Sequence, residues 1–231
     1  MLPTLKQGLT ELGLDATKAE ALARFADLML QKNEVMNLTR ITEPTAVAQL
    51  HLLDSVMLFK YADFRGKAVA DVGTGAGFPG MPLRILEPNF DLTLLDSLGK
   101  RVDWLQEACD ALDLRRVACV HARAEEFAAE KRESFDLVTS RAVANLQVLS
   151  ELCLPLVKVG GQFLAMKSIE SEDEIDKAKN AIKTLGGKIA NVADYTIPTS
   201  EVTHRLVIIE KIAPTPVRYP RAFAKIKKAP L

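Results

Sequence analysis

The sequence predicts an α/β fold: a seven-stranded, mostly parallel sheet with helices on both faces, preceded by an N-terminal helical region. Three observations carry this expectation. Residues 1–65 repeat apolar side chains at three- and four-residue spacing, the period of a helix face. From Gly66 onward short apolar runs alternate with amphipathic stretches, the pattern of βαβ units feeding a parallel sheet. At the far end two strand-like runs follow one another closely, which predicts an antiparallel pair at one sheet edge.

In order along the chain, ATKAEALARFADLMLQKNEVMNL and, after Pro44, PTAVAQLHLLDSVMLFKYA both read as helices. Strands are expected at 68–73, 91–96, 116–121, 135–140, 161–167, 188–197 and 204–211, with helices in most gaps. The acidic run ESEDEID at 170–176 reads as a solvated helix start, because carboxylates suit the positive end of the helix dipole. Residues 212–231 hold Arg218, Arg221, Lys225, Lys227 and Lys228, no acid, and three prolines before Arg221. They are expected to form an irregular basic tail. The chain thus divides into a helical region at 1–65, a sheet domain at 66–211 and a tail at 212–231.

With 48% hydrophobic residues in 231, the chain can bury one sizeable core. Its 30 basic and 30 acidic residues cancel, so no whole-molecule field draws it to nucleic acid or lipid, and any basic surface must be local. Cys109, Cys119 and Cys153 are odd in number and lack metal-ligand spacing, which predicts reduced thiols in the cytoplasm and no metal site. No secretory start and no run of eighteen apolar residues is present, so no membrane association is expected.

The sharpest signal is VADVGTGAGFPGMPLRIL, where a strand ends at Val72, a glycine-rich turn follows, and Pro79 or Pro82 opens a helix. Gly75, Gly77 and Gly80 satisfy G-x-G-x-x-G, but the dinucleotide fingerprint needs its first glycine directly after the strand, where Gly73 stands. Counted from Gly73 the loop is Gly-Thr-Gly-Ala-Gly preceded by Asp71, which resembles motif I of methyltransferases. An acid here suits a ligand bearing an α-ammonium and opposes a pyrophosphate. Asp96 ends the second strand, where a carboxylate can accept ribose hydroxyls. Ala124 and Glu125 follow the third strand, where they can meet an adenine edge. Helix capping is the alternative role for Asp96 and Glu125.

These motifs occur in a recognisable order. DVGTGAGFPG and LLDSLGKRVDWL, with NLT at 37–39, HLLDS at 51–55, RAEEF at 123–127, SRAVANL at 140–146, MK at 166–167 and HRLVIIEK at 204–211, closely resemble the bacterial 16S rRNA guanine-N7 methyltransferases, also called the glucose-inhibited division protein B family. The resemblance implies a Rossmann-like class I methyltransferase fold and S-adenosyl-L-methionine as cofactor. It implies methyl transfer to N7 of guanine 527 in the 530 loop of 16S rRNA, within the small ribosomal subunit or a precursor. It also implies cofactor contacts at Gly73, Phe78, Ala124, Glu125 and Arg141. One departure concerns the tail, RYPRAFAKIKKAPL here against a glycine-bearing YPRKPGTPNK type in many members.

Guanine N7 has an in-plane lone pair and no proton, so its methylation needs no general base, and no catalytic base is assigned. Arg141, ending the fourth strand, is the candidate for positioning substrate or cofactor; the alternative is an ion pair with a nearby carboxylate. The expected cofactor set is Asp71, Gly73, Gly75, Gly77, Phe78, Asp96, Ala124, Glu125 and Arg141. Candidate RNA contacts are Lys100, Arg101, Lys167, Arg218 and Arg221. Asn37, His51 and Asp54 read either as substrate-side residues or as caps and hydrogen bonds that fix the helical region to the sheet. A monomer is expected. The competing functions are a nicotinamide-dependent oxidoreductase, separable by binding of NADH against S-adenosylhomocysteine, and a noncatalytic RNA-binding protein on the same fold, separable by a methyl-transfer assay.

Overall fold

A computed structural model describes residues 1–141 and 144–231. Positions 142 and 143, inside the SRAVANL run, lie outside the described residues. The seven strands are β1 (Ala68–Val72), β2 (Asp91–Asp96), β3 (Val117–His121), β4 (Phe135–Arg141), β5 (Val157–Ser168), β6 (Gly187–Thr196) and β7 (Thr203–Lys211). They form one sheet in the order β3-β2-β1-β4-β5-β7-β6. The first five strands are parallel, while β7 runs antiparallel to both β5 and β6. The expected antiparallel pair is therefore present, with β7 inserted beside β5 and β6 left at the edge. Strand order reverses between β1 and β4, and the crevice at the C-terminal ends of those strands is where sheets of this kind bind ligands.

Successive side chains on a strand face opposite ways, and both faces are apolar. Leu164 and Met166 of β5 join Leu206 and Ile208 of β7 on one face, while Phe163 and Ala165 join Val207 and Ile209 on the other. The first face is covered by α1 (Leu2–Glu11), α2 (Ala19–Met36), the segment α3 (Pro44–Val47) to α4 (Asp54–Val56), and by α5 (Gly80–Leu86) and α6 (Gly99–Ala111). Phe25, Leu53, Phe64 and Trp104 are buried in this layer. The second face is covered by α7 (Ala124–Glu130), α8 (Leu146–Cys153) and α9 (Glu172–Thr184). The helical region thus shares its core with the sheet.

Two expectations need correction. The stretch after Pro44 is not one regular helix: between α3 and α4 it widens into a π-helical turn over Ala48–Leu53, then tightens to a 3-10 turn at Met57–Lys60. Such turns concentrate at functional positions, and this one carries His51.

The C-terminal segment is not an irregular tail. Tyr219 and Ile226 are buried in the second core layer, and Phe223–Lys228 form α10. Arg132 donates to the Tyr219 carbonyl at 2.8 Å and to that of Pro216 at 3.1 Å. Arg221 makes a two-pronged pair with Glu151 at 2.8 and 2.6 Å. Charge and proline count obscure the apolar spacing of Tyr219, Phe223 and Ile226, which is the i, i+4, i+7 pattern of a buried stripe.

Candidate cofactor cleft and active site

Directly after β1 the chain turns through three left-handed glycines, Gly73 (φ 69°), Gly75 (φ 60°) and Gly77 (φ 110°). Asp71 lies beneath this loop with no exposure. It accepts hydrogen bonds from the Gly80 amide at 2.9 Å and the Thr139 hydroxyl at 3.2 Å, and burial pushes its pKa up to about 6. Asp71 therefore ties the loop to α5 and β4, and its carboxylate does not reach the ligand crevice as expected. Gly77 also faces inward: a Cβ there would lie 2.7 Å from Met81 and 3.2 Å from Phe25. Gly75 differs, since a Cβ would meet only the Gly73 carbonyl at 4.0 Å.

Beside the loop a cleft of about 160 Å³ opens at the C-terminal ends of β1, β2 and β3. Gly73, Asp96, Ala124 and Glu125 line it together, with Leu152 and Phe223. Asp96 is 4% exposed; its carboxylate accepts from the Gly75 amide and the Leu98 amide, each at 2.9 Å. Two oxygens offer about four acceptor sites, so acceptor capacity remains for two hydroxyls on the cleft side. An acceptor carboxylate, glycine backbone and flanking apolar side chains fit an adenosine-bearing ligand of the S-adenosylmethionine type.

Arg141, at the end of β4, is tied to the N-terminal region. Its guanidinium donates to the Asp54 carboxylate and the Leu50 carbonyl, both at 2.9 Å, and to His51 Nδ1 at 3.2 Å. It also lies 4.9 Å over the Phe78 ring. Because an arginine only donates, Nδ1 of His51 must accept, which puts the ring proton on Nε2, facing the Thr39 hydroxyl at 2.8 Å. Burial, then the Arg141 charge, lowers the His51 pKa to about 4, so the ring is neutral at physiological pH. It stacks on Phe78 at 4.6 Å. Phe78 is 5% exposed beneath these groups and does not line the adenosine cleft.

Asp54 is the hub. Besides Arg141 it accepts from the Tyr195 hydroxyl and from His204 Nδ1–H, each at 2.9 Å. Burial pushes its carboxyl up, yet the His204 hydrogen bond and the Arg141 charge outweigh burial and hold it below the usual carboxylate value. Leu50, His51, Arg141, Met166, Val202 and His204 line a second cavity, of about 550 Å³. A larger cavity, about 630 Å³, is built from residues 59–65 ahead of β1 and their neighbours, at the opposite strand ends. Ligands of open α/β sheets bind at the carboxyl ends of strands, and none of the expected site residues lines that cavity.

Residues 18–203 match the family model described as rRNA small subunit methyltransferase G. The chain belongs to that family. It is 46% identical over 233 residues to Ribosomal RNA small subunit methyltransferase G of Alkaliphilus metalliredigens, and 43% identical over 232 residues to that of Clostridium perfringens strain 13. Each alignment spans 98% of this chain and 97% of the relative. Among solved structures, M. jannaschii TYW2 in complex with AdoMet is similar with a TM-score of 0.54 at 16% identity, covering 69% of this chain and 75% of that one. A SAM-dependent methyltransferase from Aquifex aeolicus gives 0.55 at 15%, covering 75% and 96%. The fold is that of Rossmann-like S-adenosylmethionine-dependent methyltransferases, and the family methylates rRNA of the small subunit.

Several family-motif residues serve structure. Asn37 is the left-handed C-cap of α2 (φ 51°). Lys167, expected at phosphate, has its ammonium bound to the Ala144 carbonyl at 2.6 Å and paired with Glu174, with its side chain only 9% exposed. Arg221, expected at RNA, is paired with the buried Glu151. Lys100 and Arg218 are exposed, and Arg101 is partly so, at 3.5 Å from Asp96. Tyr195 and His204 are not assigned from sequence; nothing local in their strands marks them as partners of Asp54. Among the described residues no helix is long and apolar enough to cross a membrane, and no His, Cys, Asp and Glu cluster of metal-binding type occurs.

Proposed function

We propose that this chain transfers a methyl group from S-adenosylmethionine to N7 of guanine 527 in 16S rRNA, presented by the small ribosomal subunit or a precursor, and that it acts as a cytoplasmic monomer. Its family membership supplies the reaction class and the RNA. The observation that supports the choice of N7 is the commitment of His51 and Asp54 beside Arg141; His204 gives its Nδ1–H to Asp54 and faces the cavity. His51 is neutral with both ring nitrogens engaged, and Asp54 is charged and bonded to three donors. Neither is free to remove a proton from a substrate, and N7 has none to remove.

When bound, the cofactor supplies an electrophilic methyl on a sulfonium. The proposed cofactor contacts of this chain are the Gly73 and Gly75 backbone, the Asp96 carboxylate, and Ala124 with Glu125. Asp71 and Gly77 support the loop from within. The Arg141 cluster forms a rigid wall at the end of β4, where the target base would enter through the cavity in front of His204. Orientation of this kind contributes roughly 7–11 kcal/mol in favourable systems. A free cation beside N7 would oppose the charge that develops there, and the Asp54 carboxylate offsets that of Arg141. Lys100, Arg101 and Arg218 are proposed to meet RNA phosphates, together with the exposed lysines of α10.

Labelled methyl transfer tests this reading. Small subunits lacking the modification should accept label in 16S rRNA, and large subunits and the enzyme itself should not. Label in another RNA class would contradict the assignment, and no transfer at all would favour a noncatalytic RNA-binding role.

A further inference from the structure

We propose that Phe223, carried by the C-terminal segment, forms a wall of the cofactor cleft at its adenine end, and that the Arg221–Glu151 pair holds it there. The inference rests on assigning that cleft to S-adenosylmethionine. Phe223 lines the same cleft as Gly73, Asp96 and Ala124, although 99 to 150 residues separate it from them in sequence. Asp96 stands at the end of β2, and a carboxylate there takes the ribose. The next strand outward is β3, so the base extends toward Ala122–Glu125, where Leu152 and Phe223 supply apolar surface.

The placement of Phe223 is over-determined. Glu151 on α8 has no exposure, and Arg221, two residues before Phe223, meets it through two side-chain bonds and one backbone amide at 2.9 Å. The adjacent residue, Leu152, lines the cleft itself, so one turn of α8 both anchors the segment and lines the cleft. Ile226 is buried on the same side, and Gln147 holds the Leu231 carbonyl at 2.8 Å. Arg123 also lines the cleft, and its guanidinium lies 5.8 Å from the Phe223 ring.

Because binding and ordering are reciprocal, S-adenosylhomocysteine should also protect the segment. Calorimetric titration of the full chain with S-adenosylhomocysteine should show roughly tenfold weaker binding for Phe223→Ala, the scale of losing one base–aromatic stack. Phe223→Tyr should restore it, and Arg221→Ala should weaken it without altering any side chain that lines the cleft. Saturating S-adenosylhomocysteine should slow tryptic cleavage after Lys225, Lys227 and Lys228. A folded Phe223→Ala chain that binds like wild type would overturn the proposal; if that variant does not fold, unchanged affinity in Arg221→Ala does so. A wild-type chain with no affinity for S-adenosylhomocysteine would instead remove the cofactor assignment beneath it.

Discussion

Arg141 and Asp54, 87 residues apart in sequence, meet at 2.9 Å at the junction of β4 and the N-terminal helical region, with side chains 15% and 1% exposed. The pair joins the N-terminal layer to the sheet at the mouth of the proposed active site. Asp54→Ala should leave the guanidinium without its carboxylate and Tyr195 and His204 without their acceptor. Removing one partner of such a pair costs about 3–5 kcal/mol. Denaturant unfolding should show a loss of that order, and a loss below ~1 kcal/mol would mean that the pair does not hold the layers together.

His51 gives the pH dependence of stability a defined sign. Its pKa is lowered from 6.5 to about 4 in the fold, so between those values the unfolded chain binds a proton that the folded chain refuses. Stability is fully present above pH 6.5 and falls as the pH drops toward 4, by about 3 kcal/mol for this group. Melting temperatures across that window should fall less steeply for His51→Asn than for wild type. Parallel curves would place the acid sensitivity elsewhere.

The loop glycines should separate into two kinds. Gly77→Ala forces a Cβ into Met81 and Phe25, so it should destabilise the fold by about 1–3 kcal/mol. A Cβ at position 75 meets only the Gly73 carbonyl at 4.0 Å, so Gly75→Val should cost mainly the left-handed strain of about 1–2 kcal/mol while abolishing S-adenosylhomocysteine binding. A folded Gly75→Val chain with wild-type affinity would move the cofactor away from this loop.

Sequence periodicity and the loop register locate the sheet, the cofactor loop and the residues at the ends of β1 to β4. They do not locate Asp54 as the hub, because its partners Arg141, Tyr195 and His204 come from three separate strands and are brought to it only by the sheet order. The C-terminal segment is illegible for a different reason. Composition reports charge, whereas Arg221 is neutralised by a buried Glu151 that lies 70 residues away.

The basic character of α10 gives it a testable role toward RNA apart from that structural one. Lys225, Lys227 and Lys228 are exposed. Replacing all three with alanine should leave the fold intact, weaken small-subunit binding, and reduce the slope of log affinity against log salt by about 0.7–0.9 for each phosphate no longer neutralised. An unchanged slope would direct attention to Lys100, Arg101 and Arg218.

The identity of the methylated atom tests the central claim most directly. Small subunits lacking the modification are incubated with the chain and S-adenosylmethionine, the 16S rRNA is digested to nucleosides and fragments, and the added methyl is located by mass spectrometry. The predicted product is N7-methylguanosine at position 527. A methyl on N1 or N2 of guanine would require proton removal, for which His51 and Asp54 are not free, and would contradict the direct attack by N7.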